Sequence, residues 1–260
     1  MVATTHAEPD FNRRFGGIGR LYGEAAQQRL ATAHCCVIGI GGVGSWAAEA
    51  LARTGVGELT LIDLDNVAES NVNRQVHAIS GEFGKPKVQA MAERIALIHP
   101  GCRVNLIEDF VEADNLERYL APRYDFVLDA IDSVRAKVAL IAWCQRQKQP
   151  LIVSGAAGGQ IDPTKICIDD LSRTTQDPIA AKLRAQLRKH HGFPRDIKKK
   201  FGVPCVYSTE VLRYPTQSCA TTTASGLNCA GFGSSMMVTA SFGMAAAAYA
   251  VAQLAASAAR

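Results

Sequence analysis

Short apolar runs alternate with helical patterns along the first part of the chain. The apolar runs that predict strands are residues 35–39, 59–63, 103–107, 124–129 and 150–154. The segments that predict helices are residues 45–53, 87–98, 114–120 and 134–147, the second with Pro86 before it, at the position where its missing N–H costs nothing. Strands separated by helices of this length predict an α/β fold with a doubly wound, mainly parallel sheet.

The pattern changes after about residue 155. A glycine-rich stretch at 155–160 leads into residues 161–171, then a basic helix, then an irregular segment around residues 205–210. No internal repeat or low-complexity linker separates the two parts. We therefore interpret residues 161–260 as a C-terminal extension of one domain, 1–260.

The C-terminal end is unusually apolar. From Tyr214 to Ala259 the sequence has no charged residue, and residues 236–259 are long enough to span a bilayer. However, Ser241, Gln253 and Ser257 interrupt this stretch, and alanine contributes little hydrophobic transfer energy. We favour a buried packing helix, with membrane association as the lesser alternative, and expect a cytoplasmic protein because the first ten residues lack the apolar segment of a signal peptide.

Composition adds limits to this interpretation. The 260 residues are 48% hydrophobic and 20% charged, as in soluble globular proteins, and the net charge of +4 is too small to indicate a polyanionic partner by itself. The eight cysteines form no C-x-x-C pair. This spacing argues against a zinc ribbon and a thioredoxin-like redox motif, so we expect no zinc. Several cysteines lie inside apolar runs, as buried cysteines do, so we expect a reducing compartment and no disulfide framework.

A glycine loop follows the first predicted strand. Gly39, Gly41, Gly42 and Gly44 fit the pattern G-x-G-x-x-G between a strand and a helix. We expect Gly39 to permit the tight turn, Gly41 to let a phosphate approach the backbone, and Gly44 to let helix and strand pack closely. With Asp63 at the next strand end as a ribose ligand, this predicts a Rossmann-like nucleotide site, which does not by itself distinguish a dinucleotide from ATP.

Further polar residues favour a triphosphate. Asp65, Asn71 and Arg74 follow the ribose acid, Lys87 opens a helix, and Asp132 ends the predicted strand 127–132. A triphosphate carries about four negative charges, which Arg and Lys neutralise, and a carboxylate at a strand end can hold Mg²⁺. Each residue also has a simpler interpretation: Lys87 as a solvated surface charge and Asp132 as a helix N-cap.

Together these motifs resemble the adenylating domain of the ubiquitin-activating enzyme superfamily, over about residues 13–160. The resemblance implies ATP and Mg²⁺ as cofactors, a nucleotide-binding core at residues 11–160, and a substrate and dimer extension at 161–260. It places Asp63 on the ribose, Asn71, Arg74 and Lys87 on the phosphates, and Asp132 on the metal. It also counts Asp65 and the four glycines of the loop among the ATP-binding residues. Of these, Arg74, Lys87 and Asp132 are the expected catalytic residues. It also implies that an N-terminal arginine, for which Arg20 is the candidate, reaches the ATP of the partner subunit.

The branch of the superfamily is indicated by further motifs. Residues 155–163, 176–184, 205–210, 231–233 and 238–243 are similar to the tRNA threonylcarbamoyladenosine dehydratases, which implies a homodimer that cyclises this modification in tRNA at the expense of ATP. It also suggests a sulfur-acceptor protein of a cysteine desulfurase system as a partner. The alternative is an activator of a ubiquitin-like sulfur carrier, although those enzymes usually hold zinc with two C-x-x-C pairs. A nicotinamide dehydrogenase has no need of Asn71 and Arg74.

A basic segment supports an RNA substrate. Residues 182–200 hold eight Lys and Arg against one Asp; the expected tRNA-binding residues are Lys182, Arg184, Arg188, Lys189, Lys198, Lys199 and Lys200. Such charges suit phosphate contacts, although a charge run is often only a solvated helix face. We expect backbone N–H groups of residues 155–160 to line a carboxylate site. Cys205 and Cys229 lack the features of a catalytic thiol.

Overall fold

The computed structural model describes residues 9–214 and 232–258. Its seven strands form one sheet, in the order β3-β2-β1-β4-β5-β7-β6. The strands are β1 (His34–Ile38), β2 (Glu58–Ile62), β3 (Arg103–Ile107), β4 (Phe126–Asp129), β5 (Leu151–Ser154), β6 (Ile166–Asp170) and β7 (Pro204–Ser208). The helices are α1 (Phe11–Tyr22), α2 (Glu24–Ala31), α3 (Gly44–Arg53), α4 (Lys87–Ile98), α5 (Leu116–Leu120), α6 (Val134–Gln147), α7 (Pro178–His190) and α8 (Met236–Ser257).

The order of the strands creates the functional end of the sheet. β1 pairs in parallel with β2 on one side and with β4 on the other, so the chain reverses its direction of progress across the sheet at β1. In such sheets ligands bind at the reversal, outside the carboxyl ends of the strands. Among the strands described, only β6 runs antiparallel, against β7 at the edge. The predicted doubly wound, mainly parallel α/β fold is confirmed.

The strands of residues 161–260 extend the same sheet. β7 pairs in parallel with β5 through Val153–Cys205 and Ser154–Val206. The irregular segment predicted around residues 205–210 is therefore partly wrong, because residues 204–208 form this strand. Four of its five residues are buried between the helix layers, a burial that the sequence alone did not indicate.

Helices cover both faces of the sheet. On one face α3, α4 and α8 pack on the strands, and on the other α5, α6 and α7 do so. α8 lies directly against α3, where a Cβ atom on Gly243 would come within 2.4 Å of the Val43 carbonyl oxygen. The expected packing helix is therefore present. Among the described residues this is the one helix long and apolar enough to cross a membrane by length and composition, a test that core helices also pass, and 50% of its most apolar window is buried within the chain.

Candidate functional site

A cavity of about 300 Å³ lies at the carboxyl ends of the central strands. Its walls come from the loops after β1, β2, β3, β4 and β5, together with the first turns of α4 and α7 and the segment that enters α8. It holds most of the nucleotide-site residues singled out in the sequence. These are Gly39, Gly41, Gly42, Asp63, Asp65, Asn71, Arg74, Lys87 and Asp132.

The glycine loop has the geometry that each glycine was expected to provide. Gly39 has a φ of 86°, and a Cβ atom there would lie 2.9 Å from the carbonyl of Ala130. Gly41 has no atom within 4 Å of its Cβ position, so that its backbone is open to the cavity. A Cβ atom on Gly44 would lie 1.8 Å from the carbonyl oxygen of Gly39, which shows why the start of α3 can approach the end of β1 only with glycine.

Asp63 and Asp65 are joined to Lys87 on one wall. The Asp63 carboxylate accepts hydrogen bonds from the backbone N–H groups of Ile40, at 2.6 Å, and Asp65, at 2.9 Å. The Lys87 ammonium lies 2.7 Å from the Asp65 carboxylate and 4.0 Å from that of Asp63. Burial raises the pKa of Asp63, while Lys87 opposes this rise. A carboxylate has room for about four hydrogen bonds, so Asp63 keeps capacity for ribose hydroxyls.

Lys87 is not the solvated charge of the simpler interpretation. Only 6% of its surface is exposed, and it lies at the start of α4, where its side chain lines the cavity. A lysine is almost never buried without a partner, and here Asp65 is that partner.

Arg74 is fixed by its backbone as well as by its side chain. Its guanidinium donates to the Ser70 carbonyl at 2.8 Å and to the Asn73 side chain at 3.0 Å. Its own carbonyl accepts from Trp46 Nε1 at 2.9 Å and from the Thr239 hydroxyl at 3.4 Å, which joins the loop to α3 and α8. Partial burial lowers the pKa of Arg74, although the group remains charged at any pH of interest.

Asn71 forms the turn that brings Arg74 to the cavity. The side chain of this buried residue accepts a hydrogen bond from the Ala68 N–H at 3.0 Å, and its carbonyl accepts from the N–H groups of Arg74 and Gln75. These bonds form a tight turn between β2 and α4, so the two phosphate candidates that the sequence placed together also lie together in space.

Asp132 lies in the cavity wall, but not at a strand end as predicted. β4 ends at Asp129, since beyond it the chain turns into a loop that leads to α6. The N-cap interpretation is also wrong, because Ser133 caps α6 by accepting from the Ala136 N–H. The Asp132 side chain is exposed and makes no hydrogen bond or ion pair with the described residues. A carboxylate in this state is chemically suited to a hard cation such as Mg²⁺.

The loop after β5 offers fewer donors than the sequence suggested. The N–H groups of Gly155, Ala156 and Gly159 already donate to Val206, Asp177 and Gly233, respectively. The N–H groups of Ala157 and Gly158 make no hydrogen bond within the described ranges, and both residues line the cavity. Of the backbone N–H groups expected to line a carboxylate site over residues 155–160, these two are therefore the candidates that remain.

The sequence missed several cavity residues. Phe232, Ser234 and Thr239 enter from the region just before and within α8, more than 150 positions after the glycine loop. Phe232 and Thr239 lie in motifs that indicated the branch of the superfamily, but the sequence assigned none of the three residues to the site. Gln75 also lines the cavity, and its Oε1 atom is buried without a hydrogen-bond partner among the described residues. It adjoins Arg74, but amide side chains carry little sequence signal of their own.

The basic segment divides into fixed and exposed cations. Arg184 donates to the hydroxyl of Thr174, and Arg188 donates to the Pro194 carbonyl at 3.1 Å while its guanidinium lies 5.2 Å above the Phe201 ring. Both are half-buried and serve the fold of this region. The exposed members of the predicted set are Lys182, Lys189, Lys198, Lys199 and Lys200.

Other expectations concern residues away from the cavity. Arg20 lies on α1 and does not line the cavity of its own chain, so its reach into a partner subunit stays a prediction. Cys205 is fully buried and burial raises its pKa far above the ordinary value, which disfavours a nucleophilic thiolate. Cys229 falls outside the described residues. Within the described ranges no group of three or more His, Cys, Asp or Glu is arranged to hold a metal.

Comparison with known proteins gives a consistent result. Residues 16–255 match the model of the ThiF family. The chain is 54% identical to the tRNA threonylcarbamoyladenosine dehydratase of Escherichia coli, over 96% of both chains. The crystal structure of the E. coli tRNA N6-threonylcarbamoyladenosine dehydratase in complex with ATP superposes with a TM-score of 0.88, over 96% of both chains. The molybdopterin-synthase adenylyltransferase of Haemophilus influenzae is 36% identical over 50% of this chain. The chain belongs to the ThiF family, in which it groups with the tRNA threonylcarbamoyladenosine dehydratases.

Proposed function

We propose that the protein catalyses the ATP-dependent dehydration of threonylcarbamoyladenosine beside the anticodon of tRNA. The observation that carries this proposal is a cavity that combines a glycine loop, two fixed cations and one exposed carboxylate, in a chain similar over 96% of its length to a dehydratase of this name. The similarity to the molybdopterin-synthase adenylyltransferase covers only half of the chain, so the activation of a sulfur carrier is the weaker candidate.

The chemistry requires a carboxylate to become a leaving group. The free carboxylate of the threonyl group attacks the α-phosphate of ATP, and diphosphate leaves. A neighbouring ureido atom then attacks the acyl carbon, loses its proton and displaces AMP, which carries away one carboxylate oxygen. The modification has then lost one water, and no external nucleophile or protein thiol is needed.

The residues of the cavity suit this sequence of steps. Arg74 and Lys87 are held beside the glycine loop and the ribose acid, where they oppose the negative charge that builds on the departing diphosphate. Ala157 and Gly158 line the cavity from the loop after β5, where their N–H groups, which have no partner among the described residues, can hold the carboxylate and its oxyanion. Asp132 is suited to hold Mg²⁺, which would neutralise phosphate charge when bound.

An RNA substrate fits the position of α7. Ile179, in its first turn, lines the cavity, and the basic segment, residues 182–200, runs along the rest of α7 and beyond its end at His190. A helix of 13 residues is about 20 Å long, at 1.5 Å a residue. One tRNA can therefore place a nucleotide in the cavity while its backbone phosphates, several nucleotides away, contact the exposed lysines. The exposed lysines give affinity for phosphates and leave the choice of nucleotide to the cavity.

Other parts of the proposal concern the assembly. We propose a cytoplasmic homodimer in which Arg20 of one subunit approaches the nucleotide of the other, and a sulfur-acceptor protein as a further partner. Met237, Met244 and Ala248 form an exposed apolar strip on α8, on the side away from α3, which supports this helix as a contact between subunits.

The deciding experiment is mass spectrometry of tRNA nucleosides. Modified tRNA incubated with the protein and ATP should lose 18 mass units at threonylcarbamoyladenosine, roughly the mass of one water, with AMP and diphosphate formed in equal amounts. Diphosphate exchange into ATP should depend on modified tRNA. Exchange that depends on a carrier protein, with no change in the tRNA, would favour the activator instead.

A further inference from the structure

A buried lysine lies directly beneath the cavity. Lys137, in the first turn of α6, is 0% exposed, and its ammonium is 2.9 Å from the Asp129 carboxylate. The same ammonium donates a hydrogen bond of 2.9 Å to the carbonyl of Ile131. Burial of two charges is costly even when they are paired, so such a pair is a weak source of stability. Its position suggests a different role.

The pair holds one loop of the cavity from below. Asp129 is the last residue of β4, and its Oδ1 atom, which faces Lys137, also accepts from the Ile131 N–H at 3.1 Å. Lys137 binds the Ile131 carbonyl, so both polar groups of this peptide residue are bound to the buried pair. The Ala130 N–H donates to the Ile38 carbonyl at 2.8 Å, which joins the loop to the end of β1.

The loop carries cavity residues that Lys137 itself does not reach. Ala130, Ile131 and Asp132 line the cavity, whereas Lys137 is absent from its walls. The carbonyl of Ala130 lies against Gly39, where a Cβ atom would come within 2.9 Å. A shift of the loop would therefore move Asp132 and disturb the glycine turn together.

A second buried carboxylate faces the same lysine. Burial raises the pKa of Asp177, and the attraction of Lys137 opposes this rise. Asp177 caps α7 through the Ala180 N–H and accepts from the Ala156 N–H at 2.8 Å, in the loop after β5. Lys137 is therefore paired with the carboxylate that fixes one loop of the cavity and attracts the carboxylate that fixes another.

We propose that Lys137 is a positioning residue for adenylation, which holds the 130–132 loop and its Asp132 carboxylate in register with the glycine loop. The proposal rests on the function proposed above. Since Lys137 does not contact the cavity, it acts on the rate of adenylation and not on the binding of the adenosine and ribose. A misplacement of about 1 Å in such a site costs on the order of 100-fold in rate.

The test compares three variants of the full chain. Lys137→Met removes the ammonium at similar length, and Asp129→Asn/Lys137→Met removes both charges of the 2.9 Å pair, so that Asp129 is not left as a buried ion without its partner. The backbone N–H groups of Ala156 and Ala180 still bind Asp177, so this double variant is the one expected to fold. Lys148→Met makes the same chemical change at an exposed position just after α6. The measurements are thermal unfolding, AMP affinity, tRNA-dependent diphosphate exchange, and hydrogen exchange of the Ile131 amide.

The expected result is a separation of rate from binding. In the double variant the kcat of exchange should fall at least about tenfold, AMP affinity should stay within about twofold, and the Ile131 amide should lose protection. Lys148→Met should match the wild type in all four. Combined with Asp132→Ala, the double variant should cause little further loss, because both changes act through one loop.

Three outcomes would overturn the inference. They are a wild-type kcat in the double variant, an equal loss of AMP affinity and kcat, and a failure of both variants to fold, which would make the pair purely structural. If the wild type itself shows no exchange, the proposed function fails. The inference is then decided by hydrogen exchange of the Ile131 amide in the same variants: lost protection in the double variant supports it, and wild-type protection overturns it.

Discussion

The protein holds positive charge in two regions that differ in their surroundings. Arg74 and Lys87 lie in the cavity wall, held by hydrogen bonds or ion pairs, and Lys87 is 6% exposed. Lys198, Lys199 and Lys200 are exposed on the segment after α7 and form no ion pair with the described residues. Held charges in a partly dry site stabilise charge with little reorganisation, whereas exposed charges are screened by salt. We expect the first group to determine rate and the second to determine affinity.

The largest effect is expected at Arg74. Arg74→Ala removes a fixed cation from the phosphate side of the cavity, so the kcat of diphosphate exchange should fall by roughly 100- to 1,000-fold. Thermal unfolding should change little, because the backbone carbonyl that binds Trp46 and Thr239 remains. Arg146→Ala, at an exposed position on α6, is the control. Full exchange activity in Arg74→Ala would remove this residue from the mechanism.

A somewhat smaller effect is expected at Asp132. This carboxylate has no partner among the described residues, so Asp132→Ala should leave stability unchanged and lower the exchange rate by about 100-fold at limiting Mg²⁺. A higher Mg²⁺ concentration should recover part of the rate if the residue holds the metal. A rate loss that is the same at every Mg²⁺ concentration would contradict that role.

His77 is a buried histidine whose ionisation should make the free energy of unfolding depend on pH. It is 2% exposed, and burial, followed by the charges of Lys87 and Arg94, lowers its pKa to about 4. The unfolded histidine binds a proton below about 6.5, so between these values protonation favours the unfolded chain and the free energy of unfolding falls as pH falls. The loss attributable to His77 between pH 7 and pH 5 should be about 2 kcal/mol.

The control for this prediction is His77→Leu. Both ring nitrogens of His77 lack a hydrogen-bond partner among the described residues, so an apolar side chain loses no hydrogen bond there. Denaturant unfolding at several pH values should show a smaller dependence on pH in the variant. The same dependence in both proteins would place the titrating group elsewhere.

The smallest effect is expected outside the cavity. Replacement of Lys198, Lys199 and Lys200 by Ala should weaken tRNA binding by about tenfold at low salt, and should lower the slope of log affinity against log salt by about two to three. The exchange kcat at saturating tRNA should not change. A control that removes the same charge from three exposed arginines in other elements, Arg53, Arg103 and Arg118, should bind tRNA like the wild type. Equal affinity in both triple variants would contradict the basic segment as the RNA contact.

Within the basic segment, the structure separates the arginines that are held by the fold from the exposed lysines, whereas the sequence showed only the number of charges. Arg184 and Arg188 belong to the same charge run as the lysines, but Thr174, Pro194 and Phe201 hold their guanidinium groups. These partners lie outside α7, in the connections before and after it, so the run of charges could not distinguish a structural arginine from a free one.

The sequence by itself determined the fold of the first part and most of the cavity. α4, α6 and β3 have the predicted bounds, because periodic apolar positions and a proline at the helix start are local signals. The glycines, Asp63, Asn71 and Arg74 were found because they lie within short motifs whose spacing follows from the local turn between a strand and a helix.

Only the tertiary structure decided the burial of Lys87, the place of Asp132 and the role of Lys137. The two lysines depend on partners from another part of the chain: Lys87 pairs with Asp65, and Lys137 pairs with Asp129 at the end of β4. The place of Asp132 follows from the loop that this second pair holds. The strand at residues 204–208 likewise needs β5 beside it. Burial and pairing are properties of the assembled sheet and helices, and the free energy that makes a buried lysine tolerable comes from contacts that no local pattern records.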